Sequence, residues 1–224
     1  MQSETPFSPV EIAGLTRLFA DALLSKEVVP LASMRKGGEF AGAGIYAIYY
    51  TGDFTPYAQI AERNRNGQFA QAIYVGKAVP PGARKGNALV SSKPLFRRLG
   101  EHRGSIEQAN TLRVEDFHCR YRLIADDWIT VGERLLIRHF RPLWNGIVDG
   151  FGLHDPGDKR YTGELSMWDT IHRGRRWASK MPTPNPLSEQ AILGSIAKAL
   201  RGDTEAAISQ AAQEQEADSD RQPR

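Results

Sequence analysis

Gly44-Ile45-Tyr46-Ala47-Ile48-Tyr49-Tyr50 sets three tyrosines in a run otherwise made of glycine and apolar side chains. β-Branched and aromatic residues suit a pleated surface, so the run reads as a strand, broken by Thr51-Gly52-Asp53. Side chains alternate across a strand. Tyr46, Ile48 and Tyr50 therefore share one face, and Ile45, Ala47 and Tyr49 the other. Packing accounts for tyrosines in a buried strand. A chemical role for one hydroxyl requires partners elsewhere in the chain.

The flanking sequence supplies a frame. Ser8-Pro9-Val10-Glu11 is expected to open a helix with Ser8 as cap and Glu11 completing a capping box, followed by apolar residues at helical spacing from Ile12 to Leu23. Val28 to Gly42 reads as a loop. Phe54 to Gln71 is a polar connection too long for a hairpin, and Ala72-Ile73-Tyr74-Val75-Gly76 is a second short strand. Val79 to Lys93, with two prolines, two glycines and several basic groups, reads as a surface loop. A helix over Leu95–Ile106, a strand over Phe117–Ile124 and a helix over Trp128–Phe140 follow. Gly146 to Pro186 is irregular, and a last helix over Ser188–Leu200 is capped by Ser188. The fold class is α+β: a small mixed or antiparallel sheet flanked by helices. Residues 1–202 are expected to form one domain with insertions and a core at about 41–145, and 203–224 a polar, disordered tail.

Bulk properties narrow the function. An apolar fraction of 41% and a charged fraction of 25% are those of a soluble globular protein. No run reaches a membrane span, the N-terminus lacks a signal-peptide pattern, and the lone Cys119 forbids an internal disulfide. The expected location is cytoplasmic. Charge is unevenly spread: the 224-residue chain carries +3, yet residues 201–224 hold six acids against three basic groups, which leaves +6 on the rest. Between Gly76 and Ser105, seven basic residues face one acid, Glu101. A polyanion suits such a surface, and so does plain solvation.

Five features then stand in order: GIY at 44–46, YVG at 74–76, Arg98 with His102 four residues on, Glu133, and Asn145. Together they resemble the GIY-YIG nuclease superfamily. The phrases AIYVGKAVPPG, LFRRLGEHR, DFHCRYRLI, RPLWNGIVDGFGLHDPG and WDTIHRGRRWA extend the likeness over roughly residues 41–178. Within that superfamily they resemble type II restriction endonucleases that cleave the palindrome CCGCGG. Val75 stands where the superfamily's name has Ile, which keeps a buried β-branched residue.

The resemblance implies Tyr46, Tyr74, Arg98, His102, Glu133 and Asn145 as catalytic residues, with Glu133 the metal ligand. The types suit phosphodiester hydrolysis, which needs an activated water and stabilisation of added negative charge. Mg²⁺ prefers carboxylate, phosphate and water oxygens, and Mn²⁺ is expected to substitute. Arg98 offers a donor fork to phosphate. A phenol has an ordinary pKa of about 10, so Tyr46 as a base needs a proton acceptor, His102, and cations such as Lys77 or the metal to lower that value. Tyr74 is assigned to orient water or phosphate, Asn145 to polar support beside the site, and Tyr49 to packing. His118 and His139 read as structural, His172 as a phosphate contact or a surface residue, and all four tryptophans as core.

Double-stranded DNA is the expected partner. Contacts are assigned to Lys77, Arg84, Lys85, Lys93, His154, Lys159 and Arg160. Arg63, Arg65, Arg173, Arg175 and Arg176 are further candidates for guanine or phosphate. A palindrome cut on both strands implies a homodimer, and a companion DNA methyltransferase is expected as a genetic neighbour rather than a stable complex. The alternatives are a structure-specific repair or mobile-element nuclease on the same core, and a catalytically silent DNA-binding relative.

Overall fold

The computed structural model describes residues 11–80, 92–157 and 161–202. Strands β1 (Val29–Pro30), β2 (Gly44–Tyr50), β3 (Ala72–Ala78) and β4 (Phe117–Leu123) form one sheet in the order β1-β4-β2-β3, with every pairing antiparallel. The helices are α1 (Ile12–Leu24), α2 (Ala58–Asn64), α3 (Pro94–Gln108), α4 (Asp126–Phe140), α5 (Leu143–Gly146), α6 (Met167–Ile171) and α7 (Glu189–Leu200). The class is α+β, as the sequence indicated.

All seven residues of β2 are buried, because helices cover both faces of the sheet. Tyr46, Ile48 and Tyr50 join Leu95, Leu99 and Ile106 of α3 and Trp144 of α5 in one core. Ile45, Ala47 and Tyr49 join Phe19 and Leu23 of α1 and Ile129 and Leu136 of α4 in the other. The alternation thus divides the tyrosines between two cores as expected. Tyr49 packs against Phe69, with the Arg120 guanidinium 5.1 Å from its ring centre.

Register places the second tripeptide. Tyr46 faces Gly76 and Ile48 faces Tyr74, so both site tyrosines lie on the α3 side, on adjacent strands. Gly76 is required by space: a Cβ there would lie 2.4 Å from the Tyr46 hydroxyl and 2.5 Å from Cζ. Gly44 is required by its neighbour strand, since a Cβ would come within 2.0 Å of the Arg122 carbonyl oxygen. Gly76 thus makes room where the Tyr46 ring crosses β3, and Gly44 lets β2 approach β4.

Several boundaries differ from expectation. Glu11 is the N-cap of α1, not its third residue: its carboxylate accepts from the Ala13 amide at 2.9 Å and from Gly14. Ser8 and Pro9 lie outside the described residues. Val28–Gly42 is not all loop. Val29 and Pro30 pair with β4 at the sheet edge, where proline's missing donor is tolerated, and Leu31–Ser33 forms a 3₁₀ turn. The connection after β2 holds α2, fastened by buried Asn64, whose amide bridges Tyr50 O, Gln71 O and Gln71 N. Helix α4 begins at Asp126, two acidic residues before the predicted start, so Glu133 sits mid-helix. Trp128 is 47% exposed rather than core, because it lies in the first turn of α4, at the rim of its contact with Phe19. The predicted tail from residue 203 lies outside the described residues.

Replacing Gly76 with alanine is expected to cost about 1–3 kcal/mol, because the enclosed Tyr46 ring cannot yield to the added methyl. Urea denaturation of the wild type and G76A measures it, and an unchanged midpoint would refute the tight crossing.

Candidate active site

A cleft of about 320 Å³ opens over the outer edge of β3, lined by Tyr46, Tyr74, Lys77, Arg98, Glu133 and His154 among others. Two sides of the sheet contribute. Tyr46 and Tyr74 come from the α3 face, while Lys77, opposite Ile45, reaches toward α4 and meets Glu133 at 2.6 Å. Arg97 and Glu101 of α3 complete the charged rim.

Behind the cleft, the Tyr46 hydroxyl and His102 Nε2 lie 2.6 Å apart, both essentially without solvent exposure. Burial holds the His102 imidazole well below its ordinary pKa, and the nearby Arg98, His154 and Arg175 push the same way. The ring is therefore neutral near pH 7, with one nitrogen able to accept the phenol's hydrogen. Burial raises the Tyr46 phenol well above 10, Tyr74 adds to this, and the Arg98 guanidinium pulls it back. Tyr74 is raised as well, again by burial and again opposed by Arg98. Arg98 is thus a cation that lowers both phenols. The Lys77 ammonium is held by Glu133.

Arg98 is itself tightly placed. Its guanidinium donates to Gly152 O at 2.7 Å and to Glu101 at 3.0 Å, and Nη1 lies 2.5 Å from His154 Nε2. Arg98 and His102 share a face of α3 one turn apart, as their spacing predicts, so one helix delivers both to the tyrosines. His154 belongs to the cleft wall, and its pKa is lowered by burial and by Arg98.

Asn145 has a different setting from the expected place beside a metal. From α5 its side chain accepts from the Val75 amide and donates to the Val75 carbonyl, each at 2.8 Å. It holds the edge strand that carries Tyr74 and Lys77, at one remove from the cleft.

The other basic candidates scatter. Arg84, Lys85, Lys159 and Arg160 lie outside the described residues. Lys93 is exposed at the start of α3. Arg63 bonds Gln71, and Arg65 bonds Asp53 and the carbonyls of Thr51 and Gly52. Arg173 and Arg176 are exposed. Arg175 is 1% exposed and cannot meet DNA. His172 is likewise buried, lying 2.6 Å from both the Tyr57 and Thr111 hydroxyls, so it is neither a surface residue nor a phosphate contact. Sequence reasoning missed Glu101, although its place three residues after Arg98 on a helix was a usable signal. It also missed Phe151 and Gly152, which no periodicity marks.

The donor set limits which metal fits. Among the described residues no group of three or more His, Cys, Asp or Glu side chains is arranged to hold an ion. Glu133, with 18% of its side chain exposed, offers one hard carboxylate to the cleft. That fits a magnesium-type ion, which keeps most of its water and takes phosphate oxygens, and does not fit a tetrahedral zinc site.

The family model described as the Eco29kI GIY-YIG domain matches residues 38–200, most of the chain. The chain belongs to this restriction-endonuclease family. No curated protein matches it. Among the described residues no helix is long and apolar enough to cross a membrane.

The buried histidines set a pH dependence. Burial lowers the folded-state pKa of His102, and that of His172 to about 3, from an ordinary 6.5. Below pH 6.5 the unfolded chain takes up protons that the folded chain refuses, so stability falls with acidification until the folded pKa is reached. The slope approaches about 1.4 kcal/mol per pH unit for each group. Chemical denaturation at pH 7 and pH 5 is expected to show a clear loss at pH 5, and equal stabilities would contradict it.

Proposed function

We propose that this member of the Eco29kI GIY-YIG domain family is a type II restriction endonuclease. Its substrate is double-stranded DNA carrying a GC-rich palindrome, with CCGCGG the expected site, and its cofactor is Mg²⁺ or, in substitution, Mn²⁺. One observation carries the reading: two phenols, a guanidinium and a carboxylate meet in a single cleft, with a neutral imidazole against one phenol. These are the groups that phosphodiester hydrolysis needs, held in one place.

The chain's own residues then take these roles. Arg98, braced by Gly152 O and Glu101, directs its remaining donors to the scissile phosphate, where they strengthen as charge accumulates. As water attacks phosphorus, Tyr46 accepts its proton and passes its own to His102 Nε2, while the bond to the 3′ oxygen breaks and that oxygen is protonated from solvent. Tyr74 orients the water. Glu133 would hold the Mg²⁺, which supplies charge neutralisation at the phosphate and the leaving oxygen when bound. Lys77, 2.6 Å away, holds the Glu133 carboxylate in place at the cleft.

A second arrangement has support from burial. Tyr46 has no exposed surface, whereas Tyr74 is partly open. Tyr74 then touches the water, and Tyr46 relays the proton to His102. Phenylalanine variants decide between the two. Loss with Y46F and a modest effect of Y74F favours direct action by Tyr46, and comparable losses favour the relay.

A homodimer serves a palindrome, and a companion methyltransferase protects host DNA; both belong to this reading. A catalytically silent DNA-binding protein is the rival from another class, and the persistence of Tyr46, Tyr74, Arg98, His102, Glu133 and Asn145 together argues against it. Plasmid cleavage with Mg²⁺ tests the proposal. Specific ends are expected, with chelation stopping the reaction and E133A slowing it on the order of 1,000-fold. Undiminished cleavage by E133A would remove the metal-ligand role. Light scattering on the cognate duplex is expected to give two copies per site, and a single copy would remove the homodimer.

A further inference from the structure

A buried ion pair stands apart from the cleft, and no role in the reaction has been assigned to it. Asp169, in α6, and Arg175, just beyond that helix, are 2% and 1% exposed. Arg175 Nε donates to Asp169 Oδ1 at 2.6 Å, and Nη2 pairs with Oδ2. The guanidinium lies between two indoles, 4.6 Å from each of Trp168 and Trp177. Its remaining donors go to a single loop: Gly150 O at 2.9 Å, Leu153 O at 3.3 Å and Phe151 O at 3.4 Å. Ser166 donates to Asp169 Oδ2 at 2.7 Å and so fixes the carboxylate.

The other side of that loop faces the reaction. Phe151 stacks on the His102 ring at 4.5 Å and 16°, and meets the Tyr74 ring edge-on at 5.0 Å. Gly152 O receives Arg98 Nη2, and a Cβ on Gly152 would lie 2.7 Å from the Tyr74 hydroxyl. His154 touches Arg98 Nη1. Tyr74, Arg98 and His102 therefore all meet one loop, and three carbonyls of that loop are set by one guanidinium.

We propose that Arg175, oriented by Asp169, is a positioning residue that fixes Arg98 and His102 through the Gly150–His154 loop. It rests on the nuclease reading above for its kinetic consequence. A fork with five donors can hold a carboxylate and several carbonyls at once, and an ammonium cannot. Displacement of reacting groups by about 1 Å costs on the order of 100-fold in rate. A buried pair that only stabilised the fold would lower the folded fraction and leave the folded enzyme's rate intact.

Three variants separate the two. R175K keeps the charge beside Asp169 but loses the fork. D169N keeps shape and loses the carboxylate. The double variant D169L/R175M removes both charges, which restores charge balance in the core while leaving the loop carbonyls without their donor. Single-turnover cleavage at saturating enzyme is expected to fall about 100-fold in R175K and in the double variant. Duplex affinity without divalent metal should fall far less than the rate, because neither substituted side chain itself meets DNA. Restored thermal stability in the double variant without restored rate would mark positioning.

A second readout does not need cleavage. The His102 ring is faced by the Tyr46 and Tyr74 phenols, by the Arg98 and Arg175 cations and by the His154 imidazole. R175K conserves that charge, so an upward move of the His102 titration by NMR reports a loosened Phe151 cover. Wild-type rate in either folded variant, a rate loss matched by lost affinity, or an unchanged His102 titration overturns the proposal. Absence of cleavage by the wild type defeats the nuclease reading alone, and the titration still decides the positioning role.

Discussion

A phenol and an imidazole buried together must satisfy each other, because an unpaired polar group in a core is costly. The 2.6 Å contact between Tyr46 and His102 meets that demand and thereby fixes how α3 rolls against the sheet. Leu95, Leu99 and Ile106 would tolerate a modest rotation of the helix, since dispersion is non-directional; the hydrogen bond would not. With the roll fixed, Arg98 one turn earlier has one place to go, above Tyr74 and beside Gly152. Packing and chemistry thus depend on one short polar contact inside an apolar layer.

The charge arrangement follows from depth. The innermost groups are neutral: His102 is held unprotonated and Tyr46 protonated, both by burial. The charged groups, Lys77, Glu133, Arg97, Arg98 and Glu101, stand at the mouth, each cation with a carboxylate beside it. Any anion entering the cleft therefore meets cations already oriented by carboxylates. The phenol–imidazole pair lies behind them, in a medium where electrostatic interactions are less screened than in water.

Much of this was legible in GIYAIYY and its ordered partners, for identifiable reasons. A period of two assigned the β2 side chains to their faces, and a spacing of four put Arg98 and His102 together, because regular elements convert sequence distance into direction. Short or irregular pieces escaped. β1 is two residues long and has no alternation to read, and α2 is hidden in a polar stretch. Asn145 was placed near the site by resemblance, but its partner, the peptide of Val75, is backbone and leaves no trace in side-chain pattern. Arg175 looked like one more basic residue in a basic phrase. Its burial depends on Asp169, two tryptophans and three carbonyls of a distant loop, and only the folded chain brings these together. Ion pairs and aromatic enclosures across irregular chain are the part that local rules do not reach.

The Asn145 amide has a consequence for assembly. An outer strand ordinarily presents free donors and acceptors, an invitation to another chain's strand. At Val75 both positions are filled from within, and at the opposite margin of the sheet Pro30 has no donor to give. Copies of this protein are thereby discouraged from joining edge to edge into a continuous sheet. Any association between copies is left to side-chain surfaces and loops.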